Sequence, residues 1–177
     1  NGAVLAGNTC TVIVNSNTVG TGTVNVSADV PVSGATVGVA TDGHGAFNIS
    51  NQKSWVNARI SIGQNGTNAL GNAHTFTVTL EKDTGSGFVA ADGATITDVT
   101  STGVGSITGG TCVNGAVLAG NTCTVIVNSN TNGVTTVNVA ASVPVTGGVT
   151  IDVATDGNGA GTINNQKLWL RTEVHLG

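Results

Sequence analysis

The chain has 177 residues and a formal net charge of −4, with 39% hydrophobic, 8% charged and 3% aromatic residues, 27 glycines and neither Met nor Tyr. So much apolar content beside so little net charge excludes a disordered chain. Five Lys and Arg in total exclude the basic footprint that nucleic acid requires. No stretch approaches the roughly 18 consecutive apolar residues of a membrane-spanning helix, so no membrane insertion is expected.

Val, Thr, Ala, Asn and Gly dominate, which favours strands joined by tight turns. The chain opens on NGAVLAGNTCTVIVNSNT, and the same eighteen residues return at Asn114. Cys10 matches Cys123, Val14 matches Val127 and Pro31 matches Pro144, an offset of 113. One inserted residue near Gly147 shifts the offset to 114, after which VATDGHGA (39–46) matches VATDGNGA (153–160) and NQKSW (51–55) matches NQKLW (165–169). The similarity covers 1–62 and 114–177, whereas 63–113 occurs once. A repeat this long is a whole-domain repeat.

Along the chain, 1–52 reads as the C-terminal half of one unit, 53–166 as a complete unit and 167–177 as the first strand of a following one, so the chain is out of phase with its own domains. In KSWVNARISI, Val56, Ala58, Ile60 and Ile62 share one face and Trp55, Asn57 and Arg59 the other. The same phase puts Leu168, Leu170, Val174 and Leu176 inward, and Lys53, Lys167, Trp55 and Trp169 outward. Strands are expected near 54–62, 74–82, 94–100, 122–128, 134–140 and 148–155, with a short piece near 87–90. Gly-rich turns such as DTGSG, TGVGSITGG and NSNTNG separate them. About seven short strands in roughly 110 residues predict an all-β fold of immunoglobulin-like β-sandwich repeats. A parallel β-helix would need a short regular period, which is missing.

Three stretches, HTFTVTLEKDTGSGFVAADGATIT (74–97), TCVNGAVLAGNTCTVIVNSNT (111–131) and KSWVNARISIGQNGTNALGNAHTFTVT (53–79), resemble the tandem Ig-like repeats of large bacterial surface and secreted proteins. The resemblance spans the chain as a pattern. It implies an extracellular, cell-surface setting and a role as stalk, filament or adhesin.

Cys112 and Cys123 flank a turn-rich connection, and a disulfide there would contribute about 2–3 kcal/mol and imply an oxidising compartment. Unrelated buried cysteines are the alternative. Zinc is not expected without a CxxC or His cluster. The repeat places the partner of Cys10 before Asn1, so Cys10 is expected to be free, to pair with another molecule or to have its partner out of range.

Catalytic chemistry is sparse, and no enzyme activity, cofactor or metal is expected. His44 lies in a turn, His74 opens a strand and His175 falls on an outward phase, with no nucleophile beside any of them. Asp42 and Asp156 occupy equivalent TDG turns, which supply too few hard oxygen ligands for calcium. EKD at 81–83 reads as a solvated strand end. Trp55 and Trp169, outward by phase, are candidate domain-junction aromatics or a platform for a glycan. Asn25, Asn48 and Asn65 begin N-x-S/T sequons, candidate glycosylation acceptors.

The incomplete front half leaves an apolar face and open edges, and the final strand lacks a sheet. The expected partner is therefore the protein itself: strand complementation between subunits gives a head-to-tail array, and one long polypeptide of repeats gives the same architecture. The leading expectation is a structural filament, stalk or surface layer. The alternative is an adhesin or carbohydrate-binding surface module.

Overall fold

The computed structural model describes residue 5 and residues 7–42, 51–157 and 165–171. Every regular element among them is a strand, and the chain divides into two units, Asn1–Trp55 and Val56–Gly177.

Unit 1 holds β1 (Gly20–Thr23), β2 (Ser27–Val32), β3 (Ala35–Ala40) and β4 (Gln52–Trp55), paired as β1–β4 and β2–β3. Unit 2 holds β5 (Asn57–Gly63), β6 (Gly66–Ala69), β7 (His74–Asp83), β8 (Phe88–Ala90), β9 (Thr95–Gly103), β10 (Ser106–Gly110), β11 (Thr122–Asn128), β12 (Gly133–Pro144), β13 (Thr150–Ala154) and β14 (Gln166–Leu170). One five-stranded sheet runs β10-β11-β7-β5, with β8 also on β7. In the other, β12 carries β9 on one edge and β13 and β14 on the opposite edge, and β14 passes in parallel to β6.

Alternation decides which residues enter the core. Ile60 and Ile62 of β5, Phe76, Val78 and Leu80 of β7, and Val125 and Val127 of β11 point inward from the first sheet. Ile96 of β9, Val137, Val139, Ala141 and Val143 of β12, and Trp169 of β14 belong to the same cluster from the second. The all-β chain with two sheets sharing one core is consistent with a β-sandwich.

Most expected strands are present, and the differences have local causes. The strand anticipated at 54–62 is divided at Val56, because Gln52–Trp55 pairs with Gly20–Thr23 in unit 1 while Asn57–Gly63 pairs with Thr77–Asp83 in unit 2. The expected turn TGVGSITGG contains β10, whose register shifts between Ile107 and Gly109. Gly110 there has φ 123° and lies so close to the Thr124 carbonyl that no Cβ fits. A glycine-rich strand of this kind lacks the β-branched alternation by which strands are read.

The larger difference concerns the last segment. Residues 166–170 do not wait for a following sheet; they lie between β12 and β6. Their phase is also the reverse of the expected one. Lys167 is 1% and Trp169 0% exposed, whereas Leu168 and Leu170 are 38% and 47% exposed. The Trp169 indole belongs to the core cluster, and its N–H finds a partner there, as described below.

The two copies of the repeat share strand registers over part of their length, although residues 9–15 form no strand where Thr122–Asn128 forms β11. Gly20↔Trp55 recurs as Gly133↔Trp169, and Ser27↔Ala40 recurs as Ala140↔Ala154. The inserted residue is absorbed in a turn. The β2–β3 hairpin turns on Ser33 and Gly34, both at positive φ, whereas its counterpart turns on Thr146–Gly148, closed by Val145 N–H donating to the Val149 carbonyl. Burial differs sharply: Val30 is 41% exposed, yet its counterpart Val143 is 0% exposed. Val143→Ala should therefore cost about 1–3 kcal/mol and Val30→Ala under about 0.5 kcal/mol, read by denaturant melts of the two variants.

Candidate functional site

Chemistry-bearing side chains gather in three places. The first is the disulfide Cys112–Cys123, with Cα atoms 5.1 Å apart. It joins the second residue after β10 to the second residue of β11, closing a short loop worth about 3 kcal/mol on the chain-entropy account. Cys10, the counterpart of Cys123, is a free and exposed thiol.

The second place is the β6–β14 seam. Lys167 Nζ donates to Asn68 Oδ1 at 2.9 Å, and Asn68 Nδ2 donates in turn to the Asn72 and Ala73 carbonyls. Gly66 lets the ammonium in, since a Cβ there would lie 2.6 Å from Lys167 Nζ and 3.4 Å from His74 Cε1. The His74 ring meets Phe76 edge-on at 4.6 Å, and its Nε2 lies 3.0 Å from the Gln64 carbonyl, which requires the proton on Nε2. Burial lowers the pKa of His74, the Gln64 contact opposes this, and the nearby Lys167 cation adds to the lowering. Burial lowers the pKa of Lys167 as well. Beside this seam lies a hollow of about 420 Å³ lined by Asn65, Gly66, Thr67, Val134, Gln166 and Leu168.

The third place surrounds Trp169. Its Nε1 donates to Thr135 Oγ1 at 2.8 Å, and the Thr135 hydroxyl donates in turn to the Val104 carbonyl. Both side chains are fully buried. Trp169 is therefore a core residue and not the exposed junction aromatic or glycan platform expected from its phase. Trp55 is half-buried, over Gly22, where a Cβ would lie 2.7 Å from the ring. Gly22 thus stands where the other copy has Thr135, and the indole of Trp55 occupies the space left by the missing side chain.

The remaining expectations have specific placements. Asn25 is exposed and accepts from Asn51 Nδ2 at 2.6 Å; Asn65 is exposed and its Oδ1 accepts the Gln166 N–H at 2.7 Å. Asn48, His44 and His175 lie outside the described residues. The EKD segment is engaged rather than merely solvated. Glu81 pairs with Arg59 at 2.7 Å, Arg59 stacks 4.0 Å over Phe88, Lys82 donates to the Pro144 carbonyl, and Asp83 Oδ1 accepts the N–H groups of Gly85 and Gly87. Cross-strand partners of this kind are invisible to a reading of one strand at a time. Among the described residues, no three His, Cys, Asp or Glu side chains gather as a metal site, and no helix is long and apolar enough to cross a membrane.

Two outcomes follow from these contacts. Thr135→Val leaves the Trp169 N–H buried without an acceptor and should cost about 1–3 kcal/mol in urea melts, with part of the loss recovered in the Thr135→Val, Trp169→Phe double variant. His74 has a lowered folded pKa, so the unfolded chain takes up the proton first as pH falls through the ordinary value of 6.5. Stability should therefore drop on acidification below that pH, and His74→Gln should flatten the dependence over the same range.

No family model matches the chain, and neither a curated protein nor a solved structure matches it.

Proposed function

We propose that the chain is a structural, extracellular repeat protein whose Ig-like units build a filament, stalk or surface layer, with no enzymatic role. The observation that carries this reading is the recurrence of one hydrogen-bond set in both copies of the repeat. Asn51 Nδ2 donates to the Thr41 carbonyl with the Asn25 amide beside it, as Asn165 Nδ2 does to the Thr155 carbonyl with the Asn138 amide 3.0 Å away. Val26 N–H donates to Thr41 Oγ1, as Val139 N–H does to Thr155 Oγ1. Ser16 and Thr18 exchange the same pair of bonds as Ser129 and Thr131.

A polar network kept in duplicate supports the unit, rather than any single site, as the working part. The two-sheet architecture with inward alternation supports an Ig-like unit, and the Cys112–Cys123 disulfide suits an oxidising, extracellular environment. Self-association remains the proposed partnership. The donor anticipated at the C-terminal end is, however, already engaged in part, since Gln166–Leu170 lies between two strands of unit 2. Burial of Trp169 weighs against the adhesin reading, because it removes one of the two aromatic rings on which a sugar would stack.

Antibodies raised against the chain should decorate the outer surface of producing cells or threads released from them, and the intact chain should bind no sugar on a glycan array. Intracellular labelling would overturn the extracellular role. Glycan binding abolished by Trp55→Ala would favour the adhesin.

A further inference from the structure

Strand β6 has four residues and ends its sheet, so among the described residues one edge holds it, through the parallel ladder from Lys167↔Gly66 to Leu170↔Ala69. Three side-chain contacts fasten it. Asn65 Oδ1 accepts the Gln166 N–H at 2.7 Å, Lys167 Nζ donates to Asn68 Oδ1 at 2.9 Å, and His74 Nε2 donates to the Gln64 carbonyl at 3.0 Å. The last two meet over Gly66. A Cβ there would lie 2.6 Å from Lys167 Nζ and 3.4 Å from His74 Cε1, so the ammonium and the imidazole share one bare stretch of backbone.

No carboxylate enters these contacts. Gln64, Asn65 and β6 carry no ionisable side chain, β11 brings Cys123, which is held in the disulfide, and β14 brings Lys167. The charged residues of β7 itself, Glu81, Lys82 and Asp83, stand at its far end, engaged with Arg59, the Pro144 carbonyl and the Gly85 and Gly87 N–H groups. Lys167 is 1% exposed and donates to a neutral amide. It can stand beside a neutral imidazole, but a second positive charge at the same place has no anion to offset it.

We propose that the β6–β14 seam is an acid-sensitive latch: protonation of His74 beside Lys167 frees β6 from β14 while the rest of unit 2 stays folded. Charge drives the release, since an imidazolium still donates to the Gln64 carbonyl through Nε2. Opening hydrates both cations at the expense of one four-residue ladder. Strand β14 keeps its pairing with β12 and its buried Trp169, and the edge it exposes becomes an unpaired ladder open to strand addition. The pH range follows from linkage. Burial first and Lys167 in addition hold the His74 pKa below 6.5, so the open form takes up the proton more readily. Opening therefore grows as pH falls through that value and levels off once the closed form is protonated too. The inference goes beyond the array reading and stands independently of it.

The test is native-state hydrogen exchange on the intact chain at about pH 7.5 and about pH 5, corrected for intrinsic exchange and repeated in low concentrations of urea. Protection of 66–70 should fall at least about threefold in acid and should be nearly insensitive to urea, as a small local opening is. Protection of 135–143 should instead carry the full urea dependence of global unfolding. His74→Gln, which keeps a donor for the Gln64 carbonyl but takes up no proton, should remove the acid effect on 66–70. Unchanged protection of 66–70 in acid, the same loss in His74→Gln, or a urea dependence at 66–70 equal to that at 135–143 would each overturn the latch.

Discussion

A strand with alternate side chains fully buried and both edges hydrogen-bonded leaves its neighbours little choice of position, and β12 imposes that constraint on unit 2. Thr135, Val137, Val139, Ala141 and Val143 are all at most 1% exposed, and every one is a small or β-branched residue suited to a pleated inner face. A slip of one residue would exchange this row for Val134, Thr136, Asn138, Ala140 and Ser142, putting an Asn and two hydroxyls into the core. Register is thereby pinned, and the partners on both edges, β9 on one side and β13 and β14 on the other, inherit it.

The repeat separates local from tertiary determinants within one molecule. Nearly the same residues produce the same registers and the same Asn, Thr and Ser contacts in both copies. Those features arise from short-range pairing and from side chains that satisfy their own backbone. Burial does not travel with them. The valines that reach 0% exposure in unit 2 do so because β5, β7 and β9 stand opposite or beside them, and unit 1 has no such strands among its described residues.

Polar chemistry in unit 2 serves packing more than reaction. The Lys167 ammonium is accepted by the Asn68 amide oxygen, the indole N–H of Trp169 by a threonine hydroxyl, and Arg59 lies between Glu81 and the Phe88 ring. These arrangements meet the rule that a buried polar group needs a partner, and they join strands distant in sequence. In a chain with 8% charged residues, most of this stitching falls to neutral amides and hydroxyls.

Composition and alternation by themselves determined the all-β class, most strands of unit 2, the duplicated unit and the candidate pairing of Cys112 with Cys123, because these depend on residue type and short-range period. Tertiary structure decided the rest. It broke the strand expected at 54–62 at the unit boundary, made a strand of the glycine-rich 106–110, and turned Lys167 and Trp169 inward while Leu168 and Leu170 faced out. The physical reason is common to all three. A strand's inward face is chosen by what stands across the core and by which polar atoms there can accept its donors, and for Trp169 that acceptor is Thr135, thirty-four residues away in sequence. No period of two within five residues carries that information.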